Sequence, residues 1–550
     1  MDYRKIFLYV AIIAVGLILI NQWQKDYPPV PMTQAPAASS SSVPTAPSVG
    51  NTSMPAAPAR AVMSSGKLVT VDTDVFTVTI DTHGGSIVGT TLNTYKDEQN
   101  QSQPVQLLSA DPSHYYVAES GVTGSEGPDT AAGQVVYQTA STHYVLGNQS
   151  QLAVDLTYTG KGISVTKEYI FTKGSYAIQM NYRIRNNKGS PWTGFVYTQL
   201  SRTEPPTHSS LLTHYATFVG GAISSPADHY QKIKFSDFSD GAAAQTTQGG
   251  WAAMMQQYFL SAWVPNKNDT YQYYSKVNEA GVYTLGMISA TITIPAGQTV
   301  TSTHQLYMGP AIKENLDKVS PYLSMTIDYG WLWFISQLIF WMLSHVYALL
   351  GNWGWSIIVV TLIIKAFFYP LSNKSFHSMA RLRLLQPRIN QLKERHGDDK
   401  QAMGKAMMDL YRTEKVNPLG GCLPMLVQIP VFIALYWVII QSVELRQAPW
   451  ILWVNDLSQH DPFYILPIIM GGLMFLQQKL SPPPPDPTQA KVMLFMPVIF
   501  TVLFLGFPSG LVLYWVTNTL VTVIHQYYIL VQYERVEKQK KVVPAHKKKN

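Results

Sequence analysis

A single cysteine, Cys422, in 550 residues excludes an intrachain disulfide framework and any multi-cysteine metal site. Charge is also scarce. Only 13% of residues are charged against 46% hydrophobic, too greasy a balance for a uniformly soluble chain, and the length calls for more than one region. No Gly-x-x-x-x-Gly-Lys-Ser/Thr phosphate loop, no His-Glu-x-x-His helix and no Gly-x-Ser-x-Gly elbow occurs. The 13 histidines fall in no metal-ligand spacing. Nucleotide hydrolysis, zinc hydrolysis and serine catalysis therefore have no positive support, and no cofactor is expected.

What the sequence does have is apolar runs flanked by basic residues. Ile6 to Trp23 is uncharged, about the minimum for a spanning helix, and lacks the short core and small-residue exit of a cleaved signal. It reads as an uncleaved anchor (1–27) with its N-terminus inside. Residues 28–66 are dominated by Pro, Ala, Ser and Thr, which bury too little apolar surface to offset chain entropy, and read as a flexible tether. From Lys67 to Met308 alternating runs such as Val75-Phe76-Thr77-Val78-Thr79-Ile80 are broken by turns such as His83-Gly84-Gly85. These predict a large β-sandwich, closed by a short helix near Ile312 to Leu323.

Further apolar runs lie at Trp331 to Leu350, Trp353 to Tyr369, Cys422 to Gln441, Phe463 to Gln478, Val492 to Phe507 and Leu511 to Ile529. The segment Lys374 to Lys415 carries ten Lys or Arg against five Asp or Glu, which places it in the cytoplasm. Two successive spans before it would leave it outside. Trp331 to Leu350 is therefore expected along the outer interface, and the other five runs as spans. Within the basic segment, Met379–Leu385 and Met403–Tyr411 have helical spacing and predict an antiparallel hairpin, with a solvated linker as the plainer alternative. The tail from Lys538 to Lys549 is strongly basic, as an inner tail should be.

Polar residues inside apolar spans are costly and usually face water or protein. Lys365 is the sharpest case, about one turn from the inner end of its span. From position alone the plainer reading is a lysine that snorkels to the headgroups; the functional reading is a cation lining a wet cavity. Thr361 lies one turn earlier on the same face. Gln428, and Tyr514, Thr517, Asn518, Thr522 and Gln526 in the last span, could form the facing wall, although such residues often only hydrogen-bond across a bundle.

The stretch Glu414-Lys415-Val416-Asn417-Pro418-Leu419-Gly420-Gly421-Cys422-Leu423-Pro424-Met425-Leu426-Val427-Gln428-Ile429-Pro430-Val431-Phe432 resembles the signature of the YidC/Oxa1/Alb3 membrane insertases. Ser442–Pro449, Phe495-Met496-Pro497-Val498 and Phe507–Trp515 resemble that family in the same order. The resemblance covers about Trp331 to Tyr533, and the anchor, tether and β region match its Gram-negative arrangement. It implies a polytopic α-helical membrane protein of six transmembrane helices, with a large periplasmic all-β supersandwich domain like that of sugar mutarotases and a cytoplasmic helical hairpin. The corresponding divisions are 67–325 for the β domain, 326–350 for the interfacial helix, 351–533 for the insertase core including the hairpin 374–415, and 534–550 for the tail.

The resemblance further implies a groove in the inner half of the bilayer, floored in the family by an arginine. Lys365 stands at that position, keeping the charge but losing the planar guanidinium and its five donors. Thr361, Gln428, Trp515 and Tyr514 would line the groove; Phe432 and Leu503 would lie along its apolar exit. Implied partners are nascent membrane-protein clients, the Sec translocon, the ribosome through tail and hairpin, and the phospholipid bilayer. A secondary transporter should show repeated halves, which are not seen here. A membrane-anchored periplasmic carbohydrate-active protein is suggested only by the fold of the outer domain.

Overall fold

The computed structural model describes residues 66–98, 102–124, 126–130, 133–205, 217–397, 399–414, 416, 423–482 and 487–542. The expected anchor, nearly all of the tether, the signature residues 417–422 and the last residues of the tail lie outside them.

Alternation of apolar and polar residues between Leu68 and Pro310 produces nineteen strands among the described residues, in two sheets. The larger sheet runs in the order Gln245–Gln248, Thr270–Val277, Val282–Ser289, Trp192–Thr203, Tyr116–Thr123, Pro104–Ser109, Ser86–Lys96, Phe76–Asp81, Leu68–Asp72 and His143–Val145, with Ile292–Ile294 beside Trp192–Thr203. The second runs Gln231–Ile233, Gly220–Ser224, Trp251–Met255, Phe259–Pro265, Thr299–Pro310, Ala177–Asn186, Ile163–Thr172 and Gln151–Gly160. Nearly all pairings are antiparallel; Leu68–Asp72 pairs with His143–Val145 in parallel. Large side chains such as Trp192, Trp251, Trp263, Tyr182 and Phe76 fill the space between the sheets.

The strand Ile163–Thr172 shows how alternation carries a charge inward. Its odd positions Ile163, Val165, Tyr169 and Phe171 face the core, and Lys167 falls in the same row. The ammonium is held by Gly84 O and Ser120 O, each at 3.1 Å, and by the rings of Tyr169 and Tyr182. Burial draws this group down to about 7, opposed by the carboxylate of Asp129. Gly84 and Gly85 adopt φ of 73° and 61°, a left-handed turn that glycine enters without Cβ strain. The turn brings the Gly84 carbonyl to the lysine.

Helix α1 (Lys313–Val319) closes the β region. The remainder is helical: α2 (Trp333–Leu350), α3 (Trp353–Phe367), α4 (Tyr369–Leu384), α5 (Gln386–His396), α6 (Lys400–Thr413), α7 (Leu423–Gln441), α8 (Ile465–Leu480), α9 (Pro487–Phe504) and α10 (Ser509–Val542). Gly351, at φ 65°, ends α2, and the Asn352 side chain accepts from Trp355 N to start α3. Pro370 stands in the first turn of α4, where its missing N–H costs nothing, and the axis bends by 69° between α3 and α4. Helices α2, α3, α7, α8 and α10 share one apolar core that includes Ile339, Ile357, Leu435, Met470 and Leu511.

Among the described residues, Gly330–Leu350 is the one helical stretch long and apolar enough by length and composition to cross a membrane, with the bent α3–α4 pair as a second. Leu426–Gln441, Ile465–Leu480 and Gln489–Phe504 are shorter apolar helices. Their exposed apolar side chains include Ile468, Phe475, Phe495, Val498, Val502 and Leu503, the kind of surface that marks contact with a membrane or another protein.

The basic segment departs from its sequence reading. Met379–Leu385 belongs to α4, which packs against α10 through Phe376, Ala380, Ile529 and Leu530. Pro387 opens a new helix, and the hairpin pairs α5 with α6 through Ile389, Met407 and Leu410, with Leu382 near the end of α4 and Leu385 at the break packed into the same cluster. Helical spacing could not reveal this, because the break at Leu385 reorients the faces while the apolar period continues.

Candidate functional site: an inner cavity and a domain junction

One face of α10 carries Tyr514, Asn518, Thr522 and His525, residues three or four apart and so neighbours along a helix. Each meets a different element. Tyr514 joins an aromatic cluster: the Phe432 ring lies 6.5 Å from Tyr514 and 5.0 Å from Trp515, with Phe500 and Phe504 packed around Trp515. Asn518 Nδ2 donates to Gln428 Oε1 of α7 at 3.5 Å. Thr522 Oγ1 accepts from Lys365 Nζ at 2.7 Å and donates to Asn518 O. The His525 ring stacks on Tyr369 at 4.8 Å and approaches Asn373 Oδ1.

Around Lys365 and Thr522 lies a cavity of about 190 Å³. Tyr369, Ser372 and His525 supply the rest of its polar lining; Leu362, Ala366, Phe376 and Val521 supply the apolar part. Among the described residues, no carboxylate lines it. Lysine has three donors, and Thr522 takes one.

The seven site residues expected from sequence thus occupy five places. Lys365 lines the cavity. Phe432, Tyr514 and Trp515 form the aromatic cluster, two turns along α10, with Gln428 between the two. Thr361 is 2% exposed and its hydroxyl donates to Ile357 O, so it closes on its own helix. Leu503 is 53% exposed on the outer face of α9. Tyr369, Ser372, Phe376 and His525 were not anticipated. Three of them follow the α3–α4 break: Tyr369 ends an apolar run, Ser372 lies between that run and the basic segment, and Phe376 lies within the basic segment, so no shared pattern joined them; His525 had a signal, since it continues the Asn518–Thr522 face.

The other polar concentration joins the β region to the helices. Arg446, after α7, has a side chain 4% exposed; its Nη2 donates to Lys96 O at 2.7 Å and its Nε to Glu98 Oε1 at 3.3 Å. The guanidinium lies over Tyr258 and Phe259. Gln257 Nε2 donates back to Ile440 O at 3.0 Å, and Val443 enters the β core itself.

Beside Arg446, burial pushes the Glu444 carboxyl up to about 7, helped by Glu314; Tyr95 and Tyr329 also feel its charge. The fold therefore retains this proton up to about 7, whereas the unfolded chain releases it near an ordinary carboxylate pKa of about 4.3. Stability from this group is full below the unfolded value and is lost as pH rises through the folded one. In melts of the full chain, Glu444→Gln is expected to raise the melting temperature by a few degrees near pH 8 and to change little near pH 5. Equal shifts at both pH values would count against a buried proton.

A two-sheet β region docked on an apolar helical bundle, with a lysine facing an inner cavity, defines a membrane-embedded protein with a large soluble domain. A family model described as the YidC periplasmic domain matches residues 68–342, and one described as 60Kd inner membrane protein matches 345–538. A Coxiella burnetii (strain Dugway 5J108-111) protein named membrane protein insertase YidC is 47% identical over 570 residues, covering 100% of both chains. The protein of that name from Pseudomonas entomophila (strain L48) is 44% identical, covering 98% of this chain and 100% of its own. A YidC insertase crystal structure with the first transmembrane domain resolved is similar at a TM-score of 0.39 and 20% identity, over 85% of this chain and 93% of that one. The chain belongs to the YidC family: it is an inner-membrane protein with a periplasmic domain. That is not a family of enzymes.

Proposed function

We propose that this chain inserts integral membrane proteins into the bilayer and assists their folding, alone or with the Sec translocon, through the Lys365 cavity. The observation that carries the site is a lysine in a helical bundle whose ammonium, among the described residues, hydrogen-bonds a neutral hydroxyl beside a space large enough for several waters. Such a pocket lowers the cost of drawing a short polar tail partway across. The apolar client segment then leaves along the exposed side chains of α8 and α9, and its burial in lipid supplies about 25 cal/mol per Å². No nucleotide is required.

In this reading the chain spans the bilayer six times, counting the N-terminal anchor, with both termini and the α5–α6 hairpin in the cytoplasm. The two sheets form the supersandwich. Helix α2 is long enough to cross, yet the basic segment Lys374 to Lys415 after α3 favours an interfacial position, because a span at α2 would carry ten Lys or Arg outside. The hairpin and basic tail face ribosomal phosphates, which attract Lys and Arg through counterion release. Gln428, Tyr514 and Trp515 belong to the groove wall and Phe432 and Leu503 to the exit, while Thr361 backs that wall with its hydroxyl turned to Ile357 O.

Reconstituted alone in liposomes, the full chain is expected to protect a small single-span client from protease without nucleotide. Protection no better than in empty liposomes would remove autonomous insertion and leave a Sec-dependent role. Ion or solute flux from the same vesicles would instead favour transport.

A further inference from the structure

We infer that the Lys365 cavity is a binding site for the phosphate of a phospholipid headgroup, occupied when no client is present. The inference rests on the reading of this cavity as a wet, inward-opening site and goes beyond it by naming the resident ligand. Two donors of the Lys365 ammonium remain after the bond to Thr522, and no acidic side chain lines the space to neutralise it. Ser372 and Tyr369 add hydroxyls. Both belong to the first turn of the 16-residue helix α4, which has no side-chain cap, so the positive end of its dipole borders the same cavity. Charge, donors and dipole all select an anion rich in acceptor oxygens. The volume, about 190 Å³, is several times the ~30 Å³ share of one water and accommodates a phosphodiester.

The surroundings select the lipid as its source. Leu362, which lines the cavity, is 44% exposed, and Phe367 and Ile524, each next in sequence to a lining residue, are 77% and 59% exposed, apolar surface suited to acyl chains. Tyr369 in the lining is exposed, as are Tyr527 and Tyr528 farther along α10, and such amphipathic rings mark the level of the headgroups. A cation bordered by exposed apolar side chains and tyrosines suits the depth of lipid phosphate. A client must then displace this headgroup, so the cavity is exchanged between two occupants rather than emptied.

The test titrates the delipidated full chain in detergent with phosphatidylglycerol, with a diacylglycerol of the same chains, and with inorganic phosphate, reading adducts by native mass spectrometry. Phosphatidylglycerol is expected to bind in preference to diacylglycerol, with Lys365→Gln weakening it about tenfold and Lys365→Arg retaining it. Lys479→Gln, a cation outside the cavity, should leave binding unchanged. Unaltered binding in Lys365→Gln overturns the proposal. Displacement of the lipid by inorganic phosphate at equal concentration makes the site one for free anions and overturns its lipid part.

A headgroup-diazirine phosphatidylglycerol tests the wild type directly, independent of whether any variant folds. Labels on residues 366–376 or 521–528 are expected; labels confined to α8 and α9 would place the lipid elsewhere. A Lys365→Gln chain that fails to insert clients but keeps the lipid sinks only this inference. One that loses the lipid yet inserts normally sinks only the groove reading.

Discussion

Lys365→Ala is expected to cut client insertion about tenfold in the liposome assay, while Lys365→Arg keeps at least half of the wild-type rate, since a tenfold change is about 1.4 kcal/mol and one charge-assisted hydrogen bond is worth that much. The reason lies in what each change leaves behind. Alanine removes the sole cation of the cavity lining besides any charge on His525, so the polar end of a client loses its partner. Thr522 keeps its bond to Asn518 O, so truncation leaves no orphaned hydroxyl and the bundle should melt as before. Arginine restores the charge at similar reach. Equal insertion by all three chains would return Lys365 to a lysine that merely snorkels. A loss accompanied by a large fall in melting temperature would assign it to folding instead.

Arg446→Ala should destabilise the docking of the β region on the helices by about 3 kcal/mol, the range for removing one partner of a buried polar contact. The ion pair to Glu98 contributes little, because that carboxylate is 50% exposed. The bond to Lys96 O and the cover over Tyr258 and Phe259 matter more, since they are inside. Gln447 Nε2 also reaches Lys96 O, at 3.2 Å, so the carbonyl is not abandoned but the apolar cover is. Hydrogen exchange should rise together at 94–98 and 440–448, while the strands around Trp263 stay protected. Arg446→Lys should recover less than half of the loss, because one ammonium cannot reach both acceptors and lie flat on two rings. If exchange rises throughout the β region, Arg446 supports the fold of that region rather than its docking.

The polar stripe shows how far sequence reading reaches. Spacing alone put Asn518 and Thr522 on one face, and composition alone made Lys365 conspicuous. It also grouped Thr361 with Lys365, since residues four apart are neighbours. The structure separates them. A threonine hydroxyl reaches the carbonyl four residues back, and Thr361 does so within a packed core, while the four-carbon stem of Lys365 carries its ammonium across to α10. Side-chain reach, invisible in a helical wheel, made the difference. Lys167 is the converse case: its inward position followed from strand alternation, but its partners come from a turn 83 residues away and a strand 47 residues away in the chain.

Sequence by itself determined the β region, the order of the apolar helices, the basic segment among them and the identity of the buried cation, because each is written in local periodicity and composition. Tertiary structure alone decided that the α3–α4 bend folds Tyr369, Ser372 and Phe376 around Lys365, that α5 rather than α4 forms the hairpin, and that Arg446 fastens the two regions. Those features depend on helix breaks and on contacts hundreds of residues apart, and free energy at such contacts comes from packing geometry that no local pattern encodes.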